Sequence, residues 1–143
     1  MNNWQTQSRG NFDFDDMCNE IKKFILTDSS AKYEISVGTD SQQHSKFFKF
    51  VTSIVIYRVS KGAQYYYHVE HNNHIDSLQQ KIMYEAVMTY KYKVTLKDAL
   101  EDLLIEHNIV IKPHVDIGTY GATKKFVNQI IGMLRVLDRV RKL

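Results

Sequence analysis

The sequence predicts a single mixed α/β domain: a helix, an antiparallel three-strand meander, two helices, a parallel strand and a last helix. Three observations predict it. Residues 33–71 hold three β-prone stretches rich in Tyr, Val, Ile and Phe, separated by short polar breaks. Apolar residues on either side of that block follow helical spacing. The 143 residues are 43% hydrophobic and 24% charged, a composition that folds around one core without staples.

Residues 1–11 read as a disordered polar tail, leaving 12–143 as the domain. Phe14, Met17, Ile21, Phe24 and Ile25 recur at helical spacing, and Asp13, Asp15 and Asp16 sit where a helix N-terminus favours negative charge. A helix over 12–27 follows, ended by Thr27-Asp28-Ser29-Ser30. Tyr33 to Thr39 alternates with period two and runs into Asp40, 46–59 makes a second strand, and 64–71, with Tyr65-Tyr66-Tyr67, a third. Lys61-Gly62 is the hairpin turn between the last two. Short loops favour antiparallel neighbours.

Beyond Asp76, Leu78, Ile82, Met83, Ala86 and Val87 predict a helix to about Tyr92, with Asp76 or Ser77 as N-cap. Leu96, Ala99, Leu100, Leu103 and Leu104 predict another over 95–107. Ile109-Val110-Ile111 leads through Pro113 into His114-Val115-Asp116-Ile117, a strand in pattern. Pro113 lacks an N–H, which argues for a sheet edge there. Phe126, Ile130, Leu134 and Leu137 keep one apolar stripe along a last helix.

The bulk properties exclude several classes. Cys18 is the only cysteine, so no intrachain disulfide forms; a reducing, cytoplasmic setting is expected. The first ten residues lack the apolar core of a secretory signal. The longest apolar runs fall short of the roughly 20 residues that span a bilayer, so no membrane partner is expected. Net charge is only +3. Lys124, Lys125, Arg135, Arg139, Arg141 and Lys142 cluster near the C-terminus. Such clustering suits phosphate, although a solvated helix face is its commoner meaning.

Three carboxylates hold special positions. Asp40 ends the first strand, Glu85 lies mid-helix after the meander, and Asp116 ends the fourth strand. If those two strands are neighbours, Asp40 and Asp116 project near one another and the crossing helix can bring Glu85 to them. Converging carboxylates repel unless cations compensate. Oxygen donors of this kind suit Mg2+ or Mn2+. Two such ions about 3.5–4 Å apart can hold and hydrolyse a phosphodiester. Each residue also has an ordinary alternative. Asp40 and Asp116 fit strand-end turns, and Glu85 fits an exposed helix face, since Lys81 and Thr89 look solvent-facing.

Lesser signals carry less. His68, His71 and His74 form H-x2-H-x2-H, but strand residues three apart point to opposite faces and no cysteine completes a zinc site. His114 lies two residues before Asp116 and could assist it. Gly118-x-x-Gly121-x-Thr123 before a helix is shaped like an anion cradle, without the Gly-Lys ending of a P-loop. The Tyr65–Tyr67 run could stack bases, yet alternating strand aromatics more often split between core and surface.

Several of these segments together resemble a known family. Val37-Gly38-Thr39-Asp40-Ser41-Gln42, Ile82-Met83-Tyr84-Glu85-Ala86 and His114-Val115-Asp116-Ile117-Gly118, with Gly121, Thr123 and Ile131-Gly132-Met133, look like the YkuK-type family of bacterial ribonuclease H-like proteins, across residues 12–134. The resemblance implies a ribonuclease H-like fold and a Mg2+- or Mn2+-dependent nuclease acting on RNA, DNA or a hybrid. Asp40, Glu85 and Asp116 would be its catalytic and metal-binding residues, and Ser41, Thr123, Lys124 and Lys125 its phosphate contacts. Family members continue into a further strand and a helix with a fourth acid, whereas this chain reads to Leu143 with Asp138 as the sole acid of its tail. The expectations are a shortened member lacking the last strand and helix, and self-association through the sheet edge or the C-terminal helix. The alternative function is a non-catalytic nucleic-acid-binding or assembly module that retains the fold.

Overall fold

The computed structural model describes residues 3–6, 8–10, 12–115, 128, 129 and 132. Helix α1 spans Phe14–Thr27, strand β1 Tyr33–Gln43, β2 Phe48–Arg58, β3 Gly62–Asn72, helix α2 Leu78–Glu106 and strand β4 Ile111–His114. The four strands form one sheet in the order β3-β2-β1-β4. The β1–β2 and β2–β3 pairs are antiparallel, and β4 runs parallel to β1.

Alternation along the strands sorts residues onto two faces. Tyr33, Ile35 and Val37 of β1, Phe50, Ile54 and Ile56 of β2, and Tyr66 of β3 are buried. Apart from Phe50, these join one core with Met17, Ile21 and Ile25 of α1 and Met88, Tyr92, Leu96 and Leu100 of α2. Both described helices therefore lie on one face. The opposite face carries Ser36, Gly38, Asp40, Val51, Ser53 and Val55, with Tyr65 and Tyr67 stacked 6.5 Å apart on β3. The Tyr65–Tyr67 run thus splits as its period demands, Tyr66 inward and its neighbours outward.

Local signals explain the element ends. Asp13 caps α1, its carboxylate accepting the Asp16 N–H at 2.7 Å, with Asp15 and Asp16 in the first turn. Ser77 caps α2 by accepting the Gln80 N–H at 3.1 Å. The β2–β3 hairpin turns where Ser60 (φ 65°) and Gly62 (φ 106°) take left-handed backbone; glycine at 62 removes the steric cost there. Tyr33 ties the end of α1 to the sheet, donating to the Asp28 carbonyl at 2.6 Å and accepting from Arg58 Nε at 3.0 Å. Among the described strands β4 is an edge, as Pro113 requires.

Two expectations need correction. The helices expected over 76–92 and 95–107 are one helix of 29 residues. Nothing at Lys93-Val94-Thr95 breaks it: there is no Gly or Pro, and Thr95 Oγ1 folds back to the Lys91 carbonyl at 2.7 Å. The polar tail is also not frayed where it is described. Trp4 is fully buried, pairs with Phe12 and meets Tyr92 edge-on at 5.1 Å. Gln5 bridges to Tyr67, extending the sheet beyond β3, and Asn3 O lies 3.0 Å from His68 Nδ1. A tryptophan buries too much apolar area to remain in water when a pocket is available.

Candidate functional site

Asp40 lies on β1 opposite Val51, two residues beyond Gly38, the last β1 residue that pairs with β4. Its side chain is exposed on the face away from the helices, and Oδ1 accepts the Ser41 N–H at 2.9 Å. Among the described residues it makes no ion pair. Gly38 and His114 are register partners, and a Cβ on Gly38 would stand 3.4 Å from both Cβ and O of His114. The small side chains at 36, 38 and 53 leave a shallow concavity of about 610 Å³, bordered by Asp40, His114 and Val115.

The residues flanking Asp40 point the other way, toward α2. Ser41 Oγ donates to Glu85 Oε2 at 3.0 Å. One turn further along α2, Thr89 Oγ1 donates to the Glu85 carbonyl at 2.8 Å and lies 3.0 Å from Thr39 Oγ1, itself 3.0 Å from Thr52 Oγ1. A polar seam therefore crosses an otherwise apolar helix–sheet contact directly behind Asp40. Glu85 (8% exposed), Thr89 (1%) and Thr52 are buried, and Thr39 and Ser41 are half-buried. Buried hydroxyls need partners, and these satisfy one another. Beside the seam, Tyr84 donates to Glu70 Oε2 and packs on Phe50 with centroids 4.4 Å apart. Burial first, and the Glu70 carboxylate second, raise the Tyr84 phenol above its ordinary range.

The model of the family described as "Ribonuclease H-like" matches residues 16–139. This chain belongs to the ribonuclease H-like family. It is also similar to the Bacillus subtilis (strain 168) protein described as "Uncharacterized protein YkuK", at 28% identity over 140 residues, covering 89% of this chain and 80% of the Bacillus protein. No solved structure gives a significant match. The mixed sheet, three strands antiparallel and one parallel with helices packed on it, agrees with that membership, which gives the chain a nuclease-like, nucleic-acid-related fold.

Within this ribonuclease H-like domain, the described carboxylates of the expected trio reach adjacent positions of β1 from opposite sides. Asp40 does so on the open face; Glu85 does so through Ser41 on the helix face. Asp116, Thr123, Lys124, Lys125, the Gly118–Gly121 cradle and the last apolar stripe lie outside the described residues. Among the described residues, no three His, Cys, Asp or Glu side chains gather into a metal-sized group. The histidine triplet diverges as alternation requires: His68 is buried against Trp4, while His71 is exposed and meets Phe47 edge-on. Among the described residues, no helix is long and apolar enough to cross a membrane.

Sequence reasoning missed the seam. Lys81 and Thr89 looked solvent-facing around Glu85, yet Thr89 is among the most buried polar residues. The available signal was spacing: Thr39 and Ser41 share one strand face, and Glu85 and Thr89 are one helical turn apart.

Proposed function

We propose that this protein is a divalent-metal-dependent nuclease whose acidic site is formed by Asp40, Glu85 and Asp116. The contact between Glu85 and Ser41 carries the reading. A carboxylate in the middle of a core-facing helix surface is led to the residue beside Asp40. Burying that carboxylate costs free energy that an apolar residue would not incur, and holding a cation gives it a use. Asp116 follows His114 by two residues as Asp40 follows Gly38, and Gly38 and His114 are register partners. That count in the sequence supports including Asp116 in the proposed trio.

The donor chemistry fits. Asp40 and Glu85 offer carboxylate oxygens, the hard ligands that Mg2+ and Mn2+ take, and Asp40 is accessible without a competing cation among the described residues. In this proposal Asp40 and Asp116 would hold an ion from the open face, and Glu85, which Ser41 leads to the neighbouring strand position from the helix face, would complete the set. A divalent ion bound there would neutralise phosphate charge and lower the pKa of a water. The chain's own work is positional: Ser41 fixes the Glu85 carboxylate, Asp40 presents its oxygens to the open face, and Thr123, Lys124 and Lys125 meet substrate phosphates. The substrate class is nucleic acid.

The test is turnover of labelled RNA, RNA–DNA hybrid and DNA with Mn2+ by the wild type and by Asp40→Asn. The substitution is expected to abolish cleavage and leave the circular-dichroism spectrum unchanged. Undiminished cleavage by the variant removes Asp40 from the site and the reading with it.

A second reading, a non-catalytic nucleic-acid-binding or assembly module on the same fold, is favoured by the placement of Asp40 and Glu85 on opposite faces of the sheet. It predicts salt-sensitive binding without turnover. Calorimetric titration with Mn2+ separates the two. Binding that depends on Asp40 and Asp116 supports the enzyme, and its absence supports the module.

A further inference from the structure

We propose that the cleft between the outer ends of β1 and β2 and the first turn of α2 is a subsite for single-stranded nucleic acid, with Lys81 holding a backbone phosphate and Phe48 stacking on an unpaired base. This rests on the nuclease reading and extends it to the form of the substrate.

The cleft lies where the first turn of α2 meets the outer ends of β1 and β2. Ser41 meets Glu85, and β1 continues to Gln43, with its register partner Phe48 opposite. The space left is about 300 Å³, lined by Ser41, Gln43, Phe48, Ile75, Leu78 and Lys81, with Asp76 and Ser77 completing the rim. That is the lower end of ligand-pocket sizes, about 300–1,000 Å³, and suits one nucleotide rather than a duplex.

Its lining matches a nucleotide in two ways. Lys81 precedes Glu85 by one turn on the same helix face and is half-buried. Among the described residues no carboxylate pairs with it, that of Asp76 included. An unpaired ammonium beside a carboxylate site complements a phosphate flanking the bond to be cleaved. Phe48 keeps part of its ring accessible at the end of β2, and Leu78, 57% exposed, adds an apolar wall. Stacking on an aromatic ring requires a base free of its complement. Ser41 lines this cleft while its hydroxyl donates to Glu85, so Ser41 joins the cleft to that carboxylate.

The experiment is fluorescence anisotropy with labelled single-stranded RNA, single-stranded DNA of the same sequence, and a duplex, in chelator so that no cleavage intervenes. Lys81→Ala is expected to weaken single-strand binding about tenfold at low salt and to lower the slope of log affinity against log salt by about one. Phe48→Leu is expected to weaken binding about tenfold with the slope unchanged. Lys23→Ala, on exposed α1, is the control and should alter neither. Urea midpoints for each variant separate loss of binding from loss of fold. Wild-type affinity and slope in Lys81→Ala overturn the subsite, as does duplex binding that is tighter and indifferent to Phe48. The nuclease reading is judged separately by Asp40→Asn turnover. Loss of turnover with intact Lys81→Ala binding leaves the nuclease and removes the subsite. Impaired Lys81→Ala binding by a protein that never cleaves leaves the subsite on a binding module. Failure of the wild type to bind any single strand removes the subsite and leaves the nuclease reading to the turnover test.

Discussion

Ser41 Oγ stands 3.0 Å from Glu85 Oε2, so the residue next to Asp40 holds the carboxylate that α2 contributes. This hydrogen bond fixes one carboxylate relative to another across two secondary-structure elements. A side chain that orients a ligand changes metal affinity more than it changes folding. Ser41→Ala is expected to cost about 1 kcal/mol of stability and to weaken Mn2+ binding about tenfold. Ser41→Thr keeps the hydroxyl and should restore most of the affinity. Titration calorimetry beside urea unfolding reads both effects; a stability loss without any change in Mn2+ affinity would mean a purely structural bond.

Thr89 anchors the other end of the seam, between the Glu85 carbonyl and Thr39 Oγ1. Thr89→Val removes the hydroxyl at nearly constant volume and leaves half-buried Thr39 and buried Thr52 to satisfy each other alone. The expected cost is about 1–2 kcal/mol in urea unfolding. Adding Thr39→Val should cost less than the sum of the single changes, because the second substitution removes a group already short of a partner. Strict additivity would show that the two hydroxyls do not interact.

The parts of the fold legible in the sequence are those where one local rule acts alone. The meander follows from alternation plus Lys61-Gly62, and the edge position of β4 from the missing N–H of Pro113. Helix α1 follows from one apolar stripe and an Asp13 cap. Legibility fails where an element is covered from several sides. The mid-section of α2 is wrapped by β1, β4 and neighbouring residues, so Glu85 and Thr89 are buried together with Ile82, Ala86 and Met88, and no single stripe survives to be read. Position in the sequence identified Asp40 and Glu85 as candidates. It could not show that Ser41 joins them, since that needs the register of a helix against a strand.

The polar residues around Trp4 give it the sequence pattern of a tail. Its ring is enclosed by Phe14, His68 and Tyr92. Trp4→Ala should therefore cost about 3–5 kcal/mol, and Trp4→Phe much less. Thermal and urea unfolding measure this directly. A loss below 1 kcal/mol, an estimate typical of surface positions, would return residues 3–6 to the status of a tail.

Alkaline pH tests the same core. Burial pushes the phenols of Tyr66 and Tyr92 from 10.0 up to about 12. The folded chain thus keeps protons that the unfolded chain gives up at lower pH. Where the unfolded state binds fewer protons, stability falls as pH rises. The contribution of these two tyrosines is fully present below pH 10 and is lost progressively as pH climbs through about 12. Tyr84, raised by burial and by Glu70, acts in the same direction. Urea midpoints are expected to hold steady below pH 10 and then decline, with Tyr92→Phe declining less steeply than the wild type. A variant that tracks the wild type through the whole range would show that this ring ionises as easily in the folded protein as in the unfolded chain.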